Sequence, residues 1–129
     1  MKKGDTFQHS FKVTEDVYKG FIDIFKDRNP LHTDAAFAKQ KGFAGEVMFG
    51  NILNGFISYF VGECLPIKNV MIVSQEIKYS KPVYLNDELE FYAQIADVFE
   101  SVKLVEIKYH FEKSPKVKVA QGKIQIGII

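Results

Sequence analysis

An acid and an imidazole lie five positions apart in the stretch Asp-Arg-Asn-Pro-Leu-His, residues 27–32. A carboxylate and an imidazole that flank one water molecule can both remove and supply a proton, which is general acid–base catalysis. Asn29-Pro30 lies between them and favours a bend over a continuous helix, because the residue before a proline avoids helical backbone angles. Across a bend Asp27 and His32 can face one cavity, so they are candidate proton-transfer groups. The alternative is structural, with Asp27 ending one helix and His32 preceding the N-cap of the next.

Helical signals lie on both sides of this stretch. Thr14 is a predicted N-cap, and apolar residues at helical spacing predict a short amphipathic helix up to about residue 25. A second helix is predicted from about Asp34 to Lys41, with Gly42 as its stop signal. The segment from Gly50 to Leu65 has apolar residues on nearly every side, which is typical of a buried helix. Its interior Gly55 costs about 1 kcal/mol of helix stability, so we expect another backbone to approach closely there.

Strand signals fill the second half of the chain. After Pro66 the apolar pattern changes from helical spacing to alternation, over residues 71–79, 89–95 and 105–111. A further strand is predicted from Thr6 to Lys12. The sequence therefore predicts an α+β domain in which about five mostly antiparallel strands surround one buried helix.

The last strand contains a change of phase. Val117 and Val119 occupy odd positions, whereas the apolar residues from Ile124 onward occupy even ones. One extra residue in the strand would restore the alternation, so a β-bulge is predicted near Gln121-Gly122.

Length and composition limit the classes of function. The 129 residues fit one domain over residues 1–129, and the formal net charge of +1 does not favour a large nucleic-acid footprint. Arg28 is the single arginine, so an arginine-built phosphate clamp is not expected. Cys64 is the single cysteine, which excludes an internal disulfide and fits a reducing, cytoplasmic compartment. Neither a signal peptide nor a membrane span is expected, and the histidines lack metal-ligand spacing.

The string Asp-x-Asn-Pro-Leu-His, followed by the small residue Ala38, closely resembles the signature of the MaoC-like dehydratases, which include the R-specific (type 2) enoyl-CoA hydratases. The resemblance covers most of the chain, through KKGDTFQHSF, the Gly50 helix, KYSKPVYLNDELEF and VAQGKIQIGI. It implies a hot-dog fold, a curved antiparallel sheet around a central helix. It also implies reversible hydration of trans-2-enoyl thioesters to R-3-hydroxyacyl thioesters, without a metal or redox cofactor. CoA or acyl carrier protein would carry the substrate, and two copies would pair their sheet edges in a homodimer.

Carried over residue by residue, the resemblance implies that Asp27 and His32 are the acid–base pair. Gly50 would polarise the thioester carbonyl with its N–H, because a helix N-terminus offers unpaired N–H groups and glycine has no Cβ to obstruct the substrate. A plain loop-to-helix turn is the alternative for Gly50. The remaining assignments are substrate contacts at Asn51 and Ser58, and loop shaping at Asn29 and Pro30.

The chain departs from the family pattern at several positions. Lys26 stands where glycine commonly precedes the acid, so the local backbone is expected to differ. Phe49 and Asn51 stand where many members read His and Met around the glycine, which leaves the substrate identity open. Asn86 replaces a turn glycine, and asparagine tolerates the left-handed conformation.

Two other functions fit the same residues less well. A hot-dog thioesterase would use a carboxylate on the central helix, but no Asp or Glu lies between Gly50 and Gly62, although Glu46 is just upstream. A catalytically silent acyl-thioester-binding or partner subunit would be consistent with the altered Lys26 and Phe49. Acyl chain length, the choice of carrier and the physiological direction do not follow from the sequence.

Overall fold

The computed structural model describes every residue from Met1 to Ile129. It contains five strands, β1 (Thr6–Lys12), β2 (Val70–Tyr79), β3 (Glu88–Phe99), β4 (Leu104–Lys113) and β5 (Val117–Ile128). Its α-helices are α1 (Glu15–Phe25), α2 (Pro30–Thr33), α3 (Ala35–Gln40) and α4 (Asn51–Tyr59), and a π-helical turn over Phe60–Cys64 extends α4.

The strands form one antiparallel sheet in the order β1-β3-β4-β5-β2. Alternate residues of β3 and β4 are buried, as expected for strands with one face toward a core. That face packs on α4 and its π-helical extension, where the rings of Phe60 and Phe91 lie 4.7 Å apart. A curved sheet around one helix is the hot-dog arrangement, so the predicted α+β fold class is confirmed.

The helix limits follow local capping chemistry. Thr14 caps α1, because its hydroxyl oxygen accepts a hydrogen bond from Val17 N–H at 3.2 Å. Asp34 caps α3 in the same way through Phe37 N–H, and Gly42 follows that helix with a φ of 92°. These limits confirm the predicted helices. The sequence did not predict α2, a single turn that starts at Pro30, the position at which proline suits a helix.

Helix α4 buries one face and exposes the other. Ile52, Leu53 and Ile57 are buried, whereas Gly55 and Ser58 are exposed. The prediction of a helix buried on all sides is therefore wrong for this chain, because the sheet covers only one side of it. The expected close approach at Gly55 is also wrong, since a Cβ there would have no heavy atom within 4 Å.

The phase change in β5 is a bulge at Val119. Lys118 and Ala120 each have a partner in β4, and Val119 between them has none. Val119 and Ala120 are both buried, so the extra residue switches which alternate positions face the core. The predicted bulge is confirmed, slightly before Gln121-Gly122.

One apolar core lies between the sheet and α4, and no charged or amide side chain is buried in it. Charged and amide side chains that could do chemistry therefore lie outside this core. No helix of the chain has the length and apolar character that a membrane crossing requires.

Candidate active site

The turn that ends α1 leads directly to Asp27. Lys26 has φ 63° and ψ 16°, a left-handed conformation, and its N–H donates to Ile22 O at 2.8 Å. This conformation costs a residue with a Cβ roughly 1 kcal/mol. Lys26 therefore adopts the backbone geometry that glycine favours, and replacing the family's glycine by lysine does not prevent this turn. Asn86 is likewise left-handed, with φ 70°.

A pair of hydrogen bonds shapes the bend between Asp27 and His32. Asp27 Oδ1 accepts from Asn29 N–H at 3.1 Å, and Asn29 Oδ1 accepts from Leu31 N–H at 3.0 Å. Pro30 then begins α2. One carboxylate oxygen of Asp27 thus supports the loop, and Oδ2 stays available to another partner.

His32 is oriented by a backbone carbonyl. Its Nδ1 lies 2.7 Å from Val47 O, and because a carbonyl oxygen can only accept, Nδ1 must carry the proton. In the neutral ring, Nε2 then has the lone pair that a proton acceptor needs. Val47 N–H donates to Leu31 O at 3.0 Å, so both backbone polar groups of Val47 are bonded to residues of α2.

Tyr18 of α1 strengthens this attachment. Its hydroxyl lies 2.6 Å from His32 O and 3.1 Å from Val47 O, so one phenol bridges the two segments. The side chain is buried, and burial, with a contribution from the negative charge of Glu46, raises the pKa of Tyr18 to about 12. The hydroxyl therefore remains a donor at ordinary pH. Sequence reasoning missed Tyr18, whose only signal was a polar atom on an otherwise apolar helix face.

Phe49 lies against the imidazole. The two ring centroids are 4.2 Å apart, and Phe49 also stacks on Phe21 at 4.6 Å. Phe49 is buried, so it forms an apolar support next to His32. Gly50 directly follows Phe49 in the chain, so the residue that contacts the imidazole is also the residue that precedes the start of α4.

The start of α4 has unpaired backbone donors. Ile52 N–H and Leu53 N–H donate to Phe49 O and Gly50 O, whereas the N–H groups of Gly50 and Asn51 have no acceptor in the chain. The helix dipole adds partial positive charge at this end. Two N–H groups are thus available to an oxygen that gains negative charge.

Tyr79, the last residue of β2, covers Gly50. A Cβ on Gly50 would lie 2.9 Å from Tyr79 Cζ and 3.1 Å from its hydroxyl oxygen. Both residues border a pocket of about 430 Å³, together with Lys81 and Val83. In this chain the Tyr79 ring therefore occupies the space that a side chain at position 50 would need.

Asp27 and Asn51 line a larger groove of about 810 Å³ between α1 and α4. Most of its wall is apolar, and its lining includes Val17, Phe21, Ile24, Phe25, Ile52 and Phe56. The structure thus brings Asp27 and Asn51 to one groove, whereas His32 contacts Phe49 and is not among the residues that line that groove. Asp27 and His32 are not hydrogen-bonded to each other, and Ser58 is exposed further along α4, outside the groove.

Several proteins of known name resemble this chain. The (R)-specific enoyl-CoA hydratase of Rhodospirillum rubrum is 26% identical over 129 residues, which cover 99% of this chain and 88% of that protein. The 3-hydroxybutyryl-CoA dehydratase of Methylorubrum extorquens is 32% identical over 79 residues, 61% of this chain and 50% of that protein. The chain spans about half the length of this and two further curated relatives.

Two solved structures and a family model are also similar to this chain. A protein from Archaeoglobus fulgidus has a TM-score of 0.90 at 26% identity, covering 100% of this chain and 80% of its own. The (R)-hydratase from Aeromonas caviae also reaches 0.90, at 21% identity, and covers 100% and 98%, which shows a common fold. The family model described as the MaoC like domain matches residues 2–118. The chain therefore belongs to the family of MaoC-like domains and has the hot-dog fold.

Proposed function

We propose that this chain is a hydro-lyase that reversibly hydrates trans-2-enoyl thioesters to R-3-hydroxyacyl thioesters. Relatives named as enoyl-CoA hydratase and 3-hydroxyacyl dehydratase support the reaction class. The observation that carries the proposal is the bond from His32 Nδ1 to Val47 O, which leaves Nε2 for proton transfer. The imidazole contacts Phe49, the residue that directly precedes the unpaired N–H groups of Gly50 and Asn51.

In the proposed reaction Asp27 and His32 divide two proton transfers. One group removes a proton from water as its oxygen bonds to C3, and the other delivers a proton to C2; dehydration reverses both steps. Paired transfers of this kind are typically worth about 10² to 10⁴-fold in rate. Because these side chains supply the proton chemistry, the reaction needs no metal or redox cofactor, and CoA or phosphopantetheine serves as the substrate handle.

The negative charge of this reaction gathers on the thioester oxygen. Gly50 N–H is the proposed donor to that oxygen, and each preorganised donor is typically worth about 10² to 10³-fold. Asn51 and Ser58 are the proposed additional substrate contacts. Ser58→Ala tests whether the Ser58 side chain contacts the substrate. Enoyl thioesters of increasing length, carried on CoA and on acyl carrier protein, define the substrate range.

Two substitutions test the acid–base pair. Asp27→Asn and His32→Ala should each lose most hydration of an enoyl-CoA, measured as loss of the conjugated enoyl absorbance, while the protein stays folded. Asp23→Asn and His110→Ala are matched controls, because Asp23 is exposed on α1 outside the groove and His110 pairs with Glu112 on the sheet. Near-normal rates in either test variant would contradict the assignment. Release of free thiol without enoyl loss would indicate a thioesterase instead.

We also propose that two copies pair through β2 to form a homodimer. The strands β1 and β2 are the edges of the sheet, and β2 exposes Met71 at 52% and Val73 at 51%. An open apolar edge is a template for another strand, and pairing two copies of β2 would close it. Val73→Lys should reduce the mass of the particle in solution, measured by light scattering, from a dimer to a monomer. A wild-type monomer at micromolar concentration would contradict the proposal.

A further inference from the structure

Three side-chain amides form a hydrogen-bonded row from the edge strand β2 to the first residue of α4. Gln75 Nε2 donates to Asn54 Oδ1, and Asn54 Nδ2 donates to Asn51 Oδ1 at 2.8 Å. Gln75 and Asn54 are partly buried, whereas Asn51 is exposed at the helix start. Residues three apart on a helix share a face, which brings Asn51 and Asn54 together. The row ends at the groove that Asp27 also lines.

The direction of this row determines which atoms of Asn51 are already paired and which remain available. Its Oδ1 accepts the bond from Asn54, so both hydrogens of Nδ2 remain available as donors. An unattached surface amide rotates and offers its oxygen and nitrogen alike, at a cost in entropy when it is ordered. The bond from Asn54, which Gln75 holds in turn, keeps Asn51 in the orientation that presents donors. These donors lie at the same helix end as the unpaired N–H groups of Gly50 and Asn51.

We propose that the side chain of Asn51 is a second donor to the thioester oxygen, and that Asn54 and Gln75 are positioning residues that orient it. The inference rests on the hydratase function proposed above and specifies how its site holds the developing charge. A donor fixed in advance does not have to reorganise as the charge forms, and its contribution is therefore largest in the transition state. Neither Asn54 nor Gln75 needs to contact the substrate in this arrangement.

Asn51→Asp is the decisive variant, because it preserves the shape of the side chain and can still accept from Asn54. It replaces the donors by a carboxylate, which repels a developing oxyanion but is favourable at a helix N-terminus. We expect an unchanged or higher Tm and a fall in kcat of about 10²-fold. KM for a trans-2-enoyl-CoA should change by less than about three-fold, since the lost interaction acts in the transition state.

Asn54→Ala and Gln75→Ala test the positioning role. Each should lower kcat by about 3- to 10-fold, and neither should lower it further in the Asn51→Asp background, where no oriented donor remains. Ser74→Ala is the matched control on β2. Its hydroxyl donates to Gln125 Oε1 at 3.1 Å, away from the row, so its loss should leave kcat unchanged.

The proposal is overturned if Asn51→Asp keeps about a third or more of the wild-type kcat, or if it changes KM alone. It is also overturned if Asn54→Ala and Ser74→Ala give the same kcat. Each of these results requires a wild-type protein that hydrates the substrate. A wild type without hydration activity would instead reject the proposed function itself, so the two failures are distinguishable.

Discussion

Gly50→Ala should separate the requirements of the fold from those of catalysis. Gly50 has φ −56° and ψ −34°, so its backbone is helical and accepts alanine. Alanine is favoured over glycine in such a conformation by about 0.5 to 1 kcal/mol. The new Cβ would lie 2.9 Å from Tyr79 Cζ, but that ring is the end of a side chain that is 51% exposed and can rotate away. The two effects oppose each other, and we expect the free energy of unfolding to change by less than about 1 kcal/mol.

The effect of the same substitution on activity should be much larger. If the thioester oxygen approaches Gly50 N–H, a methyl group at position 50 obstructs it and weakens the hydrogen bond. We expect kcat/KM for a trans-2-enoyl-CoA to fall by about 10²-fold, the usual value of one such donor. Loss of enoyl absorbance measures the activity, and urea unfolding measures the stability of the same preparation.

The double variant Gly50→Ala/Tyr79→Ala identifies the cause of any loss. It removes the ring that the new methyl would displace, so recovered activity would show that Tyr79 was responsible. Continued loss would show that the methyl itself obstructs the substrate, provided that Tyr79→Ala alone is active. A single Gly50→Ala variant with near wild-type kcat/KM would refute the role of Gly50. A loss of more than about 3 kcal/mol in stability would refute the packing argument.

Three further predictions concern stability. Gly122→Ala should lower the free energy of unfolding, measured in urea, by about 3 kcal/mol, because the new Cβ would collide with the backbone oxygen of Glu76. Gly127→Ala in the same strand is the control: its Cβ would meet only side-chain atoms, so the free energy of unfolding should fall by less than about 1 kcal/mol. Equal losses would contradict this reasoning. Lys26→Gly should raise the midpoint of thermal unfolding, since it relieves a left-handed lysine worth roughly 1 kcal/mol; a lower midpoint would refute it. Burial raises the pKa of Tyr18 from 10.0 to about 12, so the unfolded chain loses this proton first and wild-type stability falls as the pH rises from 10 toward 12. Tyr18→Phe lacks this contribution, and urea titrations should show a shallower decline; equal slopes would contradict the shift.

The sheet and the helix caps were predictable because their signals are local. Alternation marks each strand within a few residues, and Thr14 and Asp34 need only the next turn of chain to act as caps. The one-sided burial of α4 was not predictable, since apolar side chains at Phe56 and Tyr59 read the same whether or not another surface covers them. Whether that face is covered depends on partners of the helix, which its own sequence does not contain.

The candidate site, too, was predictable from the sequence only in part. The spacing of Asp27 and His32 and the proline between them identified two groups worth testing, and the start of α4 offered unpaired donors by a general rule of helix ends. Tyr18 was missed because its hydroxyl reaches backbone oxygens 14 and 29 residues away. The contact between Gln75 and Asn54 was missed because a strand and a helix meet there, and sequence spacing carries no trace of it.

The atom that sets the tautomer of His32 belongs to the main chain. Every amino acid at position 47 supplies the same carbonyl oxygen, so replacing the valine leaves the imidazole's partner in place. An alanine scan would therefore not detect this interaction, and other amino acids at position 47 would still provide the acceptor for His32 Nδ1. The interaction depends instead on the path of the backbone. Val47→Pro removes the N–H that bonds residue 47 to Leu31 O, and we expect the neighbouring carbonyl of the same residue to lose its fixed position as well.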